Sequence, residues 1–140
     1  MIKPNYKDGS ILNLVSSMGI VFNNKTNYKQ LKLLNPKELK GCRNIVLMII
    51  DGLGYEFLKK HGKNTVFNEH LRGKITTVFP SSTSAAMTSL YTGLSPQEHG
   101  MTGWHMFMKE FGDVIIPLPY VMRFNKNKIM EQVNIKKLFN

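Results

Sequence analysis

The spacing of apolar side chains divides the chain into three stretches. Across residues 1–43 the pattern is helical and peripheral. Ile11, Leu14, Val15, Met18 and Phe22 recur at the interval of one helix face, with Ser10 placed to cap it and Asn13, Ser16 and Ser17 as interruptions. Asn23-Asn24-Lys25 is a break, and Tyr28 to Leu34 predicts a second short helix. Pro36 suits the first turn of another, which Gly41 ends.

The texture changes at Asn44. Asn44 to Ile50 is a continuous β-branched and apolar run, the pattern of a strand buried on both faces of a parallel sheet. It stops at Asp51-Gly52. Helices are predicted over Tyr55 to His61, stopped by Gly62, and over Asn64 to Leu71, closed by Gly73. Lys74 to Phe79 predicts a second strand. After the polar turn Pro80-Ser81-Ser82-Thr83, Ser84 to Thr92 predicts a helix with Met87, Leu90 and Tyr91 inward and Gly93 as its stop. Strand, helix, strand, helix across residues 44–100 predicts an α/β core, mainly parallel, with a right-handed crossover. In residues 101–140, Gly103 to Phe111 and Val114 to Leu118 predict a hairpin across Gly112-Asp113. Pro117 and Pro119 would keep its second strand at an edge, and a weakly periodic basic tail follows from residue 124.

Composition narrows the function classes. One hundred and forty residues make a single domain, and 42% apolar with 20% charged side chains is a globular balance. The lone Cys42 excludes an internal disulfide framework and a Cys-rich zinc module. The longest apolar run, Ile45 to Ile50, is far short of the ~20 residues of a transmembrane helix. No compact apolar leader opens the chain, so a cytoplasmic, reducing setting is expected, with no membrane partner. The net charge of +10 raises nucleic-acid binding, but sixteen of the nineteen basic residues are Lys and they are spread along the chain. Nucleic-acid grooves cluster their charge and lean on Arg. A solvated surface with a compositional bias toward Lys explains the charge better, and such a surface would still attract phosphorylated substrates over long range.

Two places could carry chemistry. Asp51 ends the first predicted strand, and open α/β sheets bind ligands beyond the carboxyl ends of their strands. A carboxylate there suits a metal, although Asp-Gly is equally an ordinary turn. The Ser81-Ser82-Thr83-Ser84 cluster opens a helix, where unpaired N–H groups and the helix dipole favour an anion. Taken alone, capping by Ser82 or Thr83 is the simpler role. A right-handed crossover would put both loops on one sheet edge.

Asn44-Ile45-Val46-Leu47-Met48-Ile49-Ile50-Asp51-Gly52, then Phe79-Pro80-Ser81-Ser82-Thr83, then Tyr91-Thr92-Gly93-Leu94-Ser95-Pro96-Gln97-Glu98-His99-Gly100, together resemble the start of the alkaline phosphatase superfamily. The nearest branch is the type I phosphodiesterase/nucleotide pyrophosphatase group, and the likeness runs from about Asn44 to Gly112. The resemblance implies an alkaline-phosphatase-like fold with Asp51 as a metal ligand. It implies Thr83 as nucleophile and second ligand, because Thr83 stands ten residues before Gly93. Ser84 would help hold the substrate. Relatives follow the nucleophile with Phe-Pro-Asn, whereas here Ser84-Ala85-Ala86 follows, closer to the Ala-Ala of alkaline phosphatases. Sulfatases place Pro and Arg where this chain has Ala85 and Met87.

By the same resemblance the function is metal-dependent hydrolysis of a phosphoric ester, such as a nucleotide, through a covalent threonine intermediate. The complete protein would hold two divalent ions, zinc by resemblance, with further Asp and His ligands downstream. The chain is therefore expected to be an N-terminal portion, inactive alone and at most a partial metal site, whose partner is the missing C-terminal part of the fold. The competing expectation is a remnant whose basic surface binds a polyanion or another chain. The four histidines offer no spaced ligand pair: His61 and His70 are expected on the solvent side, His99 in a structural role and His105 packed beside Trp104. Asp113 is expected in the solvated hairpin turn.

Overall fold

The computed structural model describes residues 2–110 and 112–124; the tail over residues 125–140 and Phe111 of the hairpin lie outside the described residues. The first helix, α1 (Ile11–Val21), starts where the sequence predicts but turns a different face inward. Leu12, Asn13, Ser16 and Ser17 are its buried residues, while Phe22 is 59% exposed. The three polar side chains seek out backbone. Asn13 accepts the N–H and the hydroxyl of Ser10 at 2.9 and 2.6 Å and donates to the carbonyls of Tyr6 and Lys29 at 3.1 and 2.9 Å. Ser16 donates to the Tyr28 carbonyl at 2.6 Å, and Ser17 donates to the Leu34 carbonyl at 2.9 Å while accepting the Leu31 N–H at 2.8 Å.

These bonds also explain why no helix forms over residues 28–34. The carbonyls of Tyr28, Lys29 and Leu34 are engaged by side chains of α1, and the segment runs as a loop clamped to that helix. The next helix is α2 (Pro36–Leu39), with Asn35 at its cap, Pro36 in its first turn and Gly41 beyond it at φ 90°.

The expected parallel core is not formed among the described residues. Among the described residues, Asn44 to Ile50 joins no ladder, and Val46 and Met48 are 86% and 72% exposed. The stretch Lys74 to Phe79 has one parallel bridge, Thr76 with Ser10. There the Thr76 N–H donates to the Gly9 carbonyl at 2.8 Å and the Thr76 carbonyl accepts the Ile11 N–H at 3.0 Å. A buried parallel strand needs neighbours at its edges and cover on both faces. The N-terminal stretch before α1 takes one edge of 74–79, and no described strand flanks 44–50.

Helix α3 (Tyr55–His61) has the predicted bounds, with Gly62 at its C-cap. Helix α4 (Val66–Glu69) is shorter than predicted because Asn64 sits at φ 61° and Thr65 is the N-cap. Neither buries a residue. Helix α5 (Thr83–Thr92) ends at Gly93 with φ 71°, a left-handed stop that favours glycine. Its buried residues are Ser84, Ala85 and Ser89, and the expected inward Tyr91 is 82% exposed. Ala85 joins Leu12 and Val78 in the small core, with Tyr6, Ile11, Tyr28 and Ala86 packed around it. A further short helix, α6 (Pro96–His99), went unpredicted, although Ser95-Pro96-Gln97-Glu98 is a capping box with proline in the first turn.

The predicted hairpin is present and gains a third strand. Strands β1 (Met106–Met108), β2 (Asp113–Ile116) and β3 (Val121–Met122) form an antiparallel sheet in that order, with Met106 opposite Ile115 and Ile115 opposite Met122. Strand β2 is therefore central, not an edge. Pro117 and Pro119 lie in the turn after it, where they remove no ladder hydrogen bond. The described architecture is thus mixed helix and strand, with its ladders antiparallel.

Candidate active site

Asp51 and Gly52 form a turn with Gly52 at φ 75°. The Asp51 carboxylate is exposed and accepts only the Gly52 N–H, at 3.1 Å, among the described residues. Its remaining lone pairs are open.

The other half of the site is the start of α5. Ser82 is the N-cap, and its Oγ accepts the Ala85 N–H at 3.3 Å. The capping role thus falls on Ser82. Thr83, the next residue, is half-buried, and neither its hydroxyl nor its N–H has a hydrogen-bond partner among the described residues. It stands in the first turn, where the orphan N–H groups and the helix dipole present positive potential. Ser84 is fully buried, and its hydroxyl finds no partner among the described residues. Such an orphan costs roughly 1–3 kcal/mol, which marks the position as strained or reserved.

No hydrogen bond joins Asp51 to Thr83 among the described residues, but the segments next to them border one cavity. A cavity of about 900 Å³ runs beside residues 74–79, and Gly54, Tyr55 and Ser81 are among its lining residues. Gly54 lies three residues after Asp51 and Ser81 two before Thr83; neither Asp51 nor Thr83 itself lines the cavity. Lys74 contributes a cation beside it, 5.7 Å from the Tyr55 ring centre.

Both oxygens are hard donors of the kind divalent cations take. Among the described residues, however, no three of His, Cys, Asp or Glu gather into a metal-holding group. A zinc centre uses three or four protein ligands, and two oxygens such as these are fewer than that.

The histidines lie elsewhere. His61 is exposed, its ring centre 4.8 Å from that of Phe57 and tilted by 37°, and His70 is exposed at the end of α4. His105 is exposed, not packed beside Trp104 as expected. Asp113 opens β2 partly buried and accepts the Val114 N–H at 2.6 Å, so it too departs from the solvated turn. His99 is engaged. Its Nε2 lies 3.0 Å from Ser89 Oγ, and its Nδ1 accepts the Met101 N–H at 2.9 Å.

Beside it, Glu98 forms a hub that sequence reasoning missed. One carboxylate oxygen accepts from the Tyr28 hydroxyl at 2.5 Å and from the Ser95 N–H and hydroxyl at 2.7 Å each. The Tyr28 hydroxyl, then the Ser95 donors, hold the Glu98 carboxyl below its ordinary value. Burial first, then this carboxylate, push the Tyr28 phenol up. The available signal was Glu98 three residues after Ser95, the spacing of a capping box.

No helix among the described residues is long and apolar enough to cross a membrane. No curated protein and no solved structure matches the chain. One family profile does, type I phosphodiesterase / nucleotide pyrophosphatase, over residues 45–117. That span holds the Asp51 turn, the part of the cavity lining from Gly54 to Ser81, all of α5 and the first two strands of the sheet. It covers just over half of the chain, which therefore belongs to the type I phosphodiesterase / nucleotide pyrophosphatase family.

Proposed function

We propose that this chain carries the nucleophile-bearing part of a metal-dependent phosphoric ester hydrolase, with Thr83 as nucleophile. The observation that carries this is the division of labour at the start of α5. Ser82 takes the capping bond and leaves the Thr83 hydroxyl unengaged at the positive end of a helix. Family membership supplies the reaction class.

A phosphate group seated at that helix start would meet the Thr83 N–H and the dipole, which favour its negative charge. The Thr83 oxygen would attack phosphorus in line. The new Oγ1–P bond forms as the bond from phosphorus to the departing ester oxygen breaks. The hydroxyl proton passes to solvent, and the departing oxygen takes one up. Water then cleaves the threonyl ester and restores the hydroxyl. Asp51, with its carboxylate exposed at the turn, and Thr83 are the residues that would hold a divalent ion, zinc in this proposal. When bound, such an ion neutralises phosphate charge and makes a hydroxyl more acidic. Ser84, whose buried hydroxyl has no partner among the described residues, would help hold the substrate.

The same proposal includes completion of the fold by further chain that supplies the remaining ligands and flanks Asn44 to Ile50. The exposure of Val46 and Met48 supports it, since such a run is stable only when covered. The exposed thiol of Cys42 fits a reducing, cytoplasmic setting.

The test is turnover of a chromogenic phosphodiester with zinc present, on the protein with its fold completed. Thr83→Ala and Asp51→Asn should each abolish turnover, while Ser82→Ala retains most of it. An active Thr83→Ala beside an inactive Ser82→Ala would overturn the assignment.

A further inference from the structure

The pairing of His99 with Ser89 has a direction that the neighbouring backbone fixes. The Met101 N–H donates to His99 Nδ1 at 2.9 Å, so that nitrogen carries a lone pair. In the neutral ring the proton then sits on Nε2, 3.0 Å from Ser89 Oγ, and is donated to it. Ser89 is fully buried in the last third of α5, two turns beyond Thr83, and its carbonyl accepts the N–H of the Gly93 stop. His99 is the last residue of α6, and Met101 follows the left-handed Gly100. One imidazole thus ties the helix that carries Thr83 to the chain leaving α6.

We propose that His99 is a positioning residue for the Thr83 helix, acting as a neutral Nε2–H clamp that a second proton opens. This rests on the assignment of Thr83 made above. A doubly protonated ring would present an N–H at Nδ1 to the Met101 N–H, and two donors cannot share that contact. Burial already disfavours the charged ring and pulls its pKa down, against the backbone carbonyls of His99 and Ala85 and the Glu98 carboxylate. Glu98 is the charge that acts on the ring among the described residues, and its carboxylate is committed to Tyr28 and Ser95. Helix α5 itself brings no ionisable group except the exposed Tyr91.

The experiment uses the full chain and needs no catalysis, so its failure would leave the role of Thr83 standing, and failure of Thr83 as nucleophile would leave the clamp. Nitrogen NMR of the imidazole should show the Nε2–H tautomer at pH 7.5. Amide exchange, corrected for intrinsic rate, should show Ala86 and the later α5 amides losing protection by about fivefold to tenfold as the ring protonates, the worth of one hydrogen bond. His99→Gln, which keeps a donor near the Nε2 position and does not titrate, should hold that protection at both pH values. His99→Ala should lose it at both. An Nδ1–H tautomer, an α5 protection that ignores pH, or a Gln variant as loose as the Ala variant would overturn the proposal.

Discussion

Ser82 Oγ accepts the N–H of Ala85 at 3.3 Å, and that single bond separates two hydroxyls that neighbour each other in sequence. Ser82→Ala removes a helix cap and should cost about 1 kcal/mol of stability. Thr83→Ala removes a hydroxyl with no partner among the described residues and should leave stability within ~0.5 kcal/mol. Urea denaturation of the two variants checks this. In turnover their order should reverse.

Asn13 is the most connected side chain of α1, accepting two bonds from Ser10 and donating to the carbonyls of Tyr6 and Lys29. Asn13→Leu should destabilise by roughly 2–3 kcal/mol, because it leaves the partly buried carbonyls of Tyr6 and Lys29 without their donor as well as losing the bonds to Ser10. Chemical denaturation that shows less than 1 kcal/mol would mean water replaces the amide.

Gly93 ends α5 at φ 71°, and a Cβ there would meet only Val15 Cγ1, at an ordinary 3.7 Å. Gly93→Ala should therefore cost about 1 kcal/mol through backbone strain, not collision. Gly93→Asn, which tolerates the left-handed region, should recover much of that, measured as a shift in melting temperature.

The Glu98 carboxyl is held low by Tyr28 and Ser95, so its contribution to stability is in full effect above its unfolded value and is lost as pH falls through the folded one. Glu38 acts in the same sense through Asn35 and Arg72. The melting temperature should fall between pH 6 and pH 3, and Tyr28→Phe should flatten that fall by releasing Glu98 from its largest partner.

Val46 and Met48 project from a run that no described strand flanks. The isolated chain should self-associate, and Val46→Lys with Met48→Lys should reduce the associated fraction in light scattering. A wild-type chain that stays monodisperse and melts cooperatively as a monomer would count against an incomplete fold.

What could be foreseen tracked local chemistry. The bounds of α3, the Gly93 stop and the hairpin followed from caps, glycines and alternation, which act over a few residues. The fate of Asn44 to Ile50 did not, because burial of a strand depends on partners that no short window contains. The inner face of α1 was misjudged for a related reason. Asn13, Ser16 and Ser17 looked like interruptions of an apolar stripe, and only the carbonyls of the 28–34 loop give them something to bind. At the candidate site, position alone left Asp51 an ordinary turn and Thr83 an ordinary cap, and only the family resemblance singled them out; which of Ser82 and Thr83 takes the cap depends on local geometry that no residue pattern fixes.

The polar seat of α1 has a thermal consequence. Releasing apolar surface to water raises heat capacity on unfolding, whereas releasing polar surface lowers it. A helix held by Asn13, Ser16 and Ser17 against loop carbonyls, with Leu12 as its fully buried apolar side chain, should detach with little heat-capacity change. Its attachment would then keep its strength on cooling, where contacts between apolar surfaces weaken.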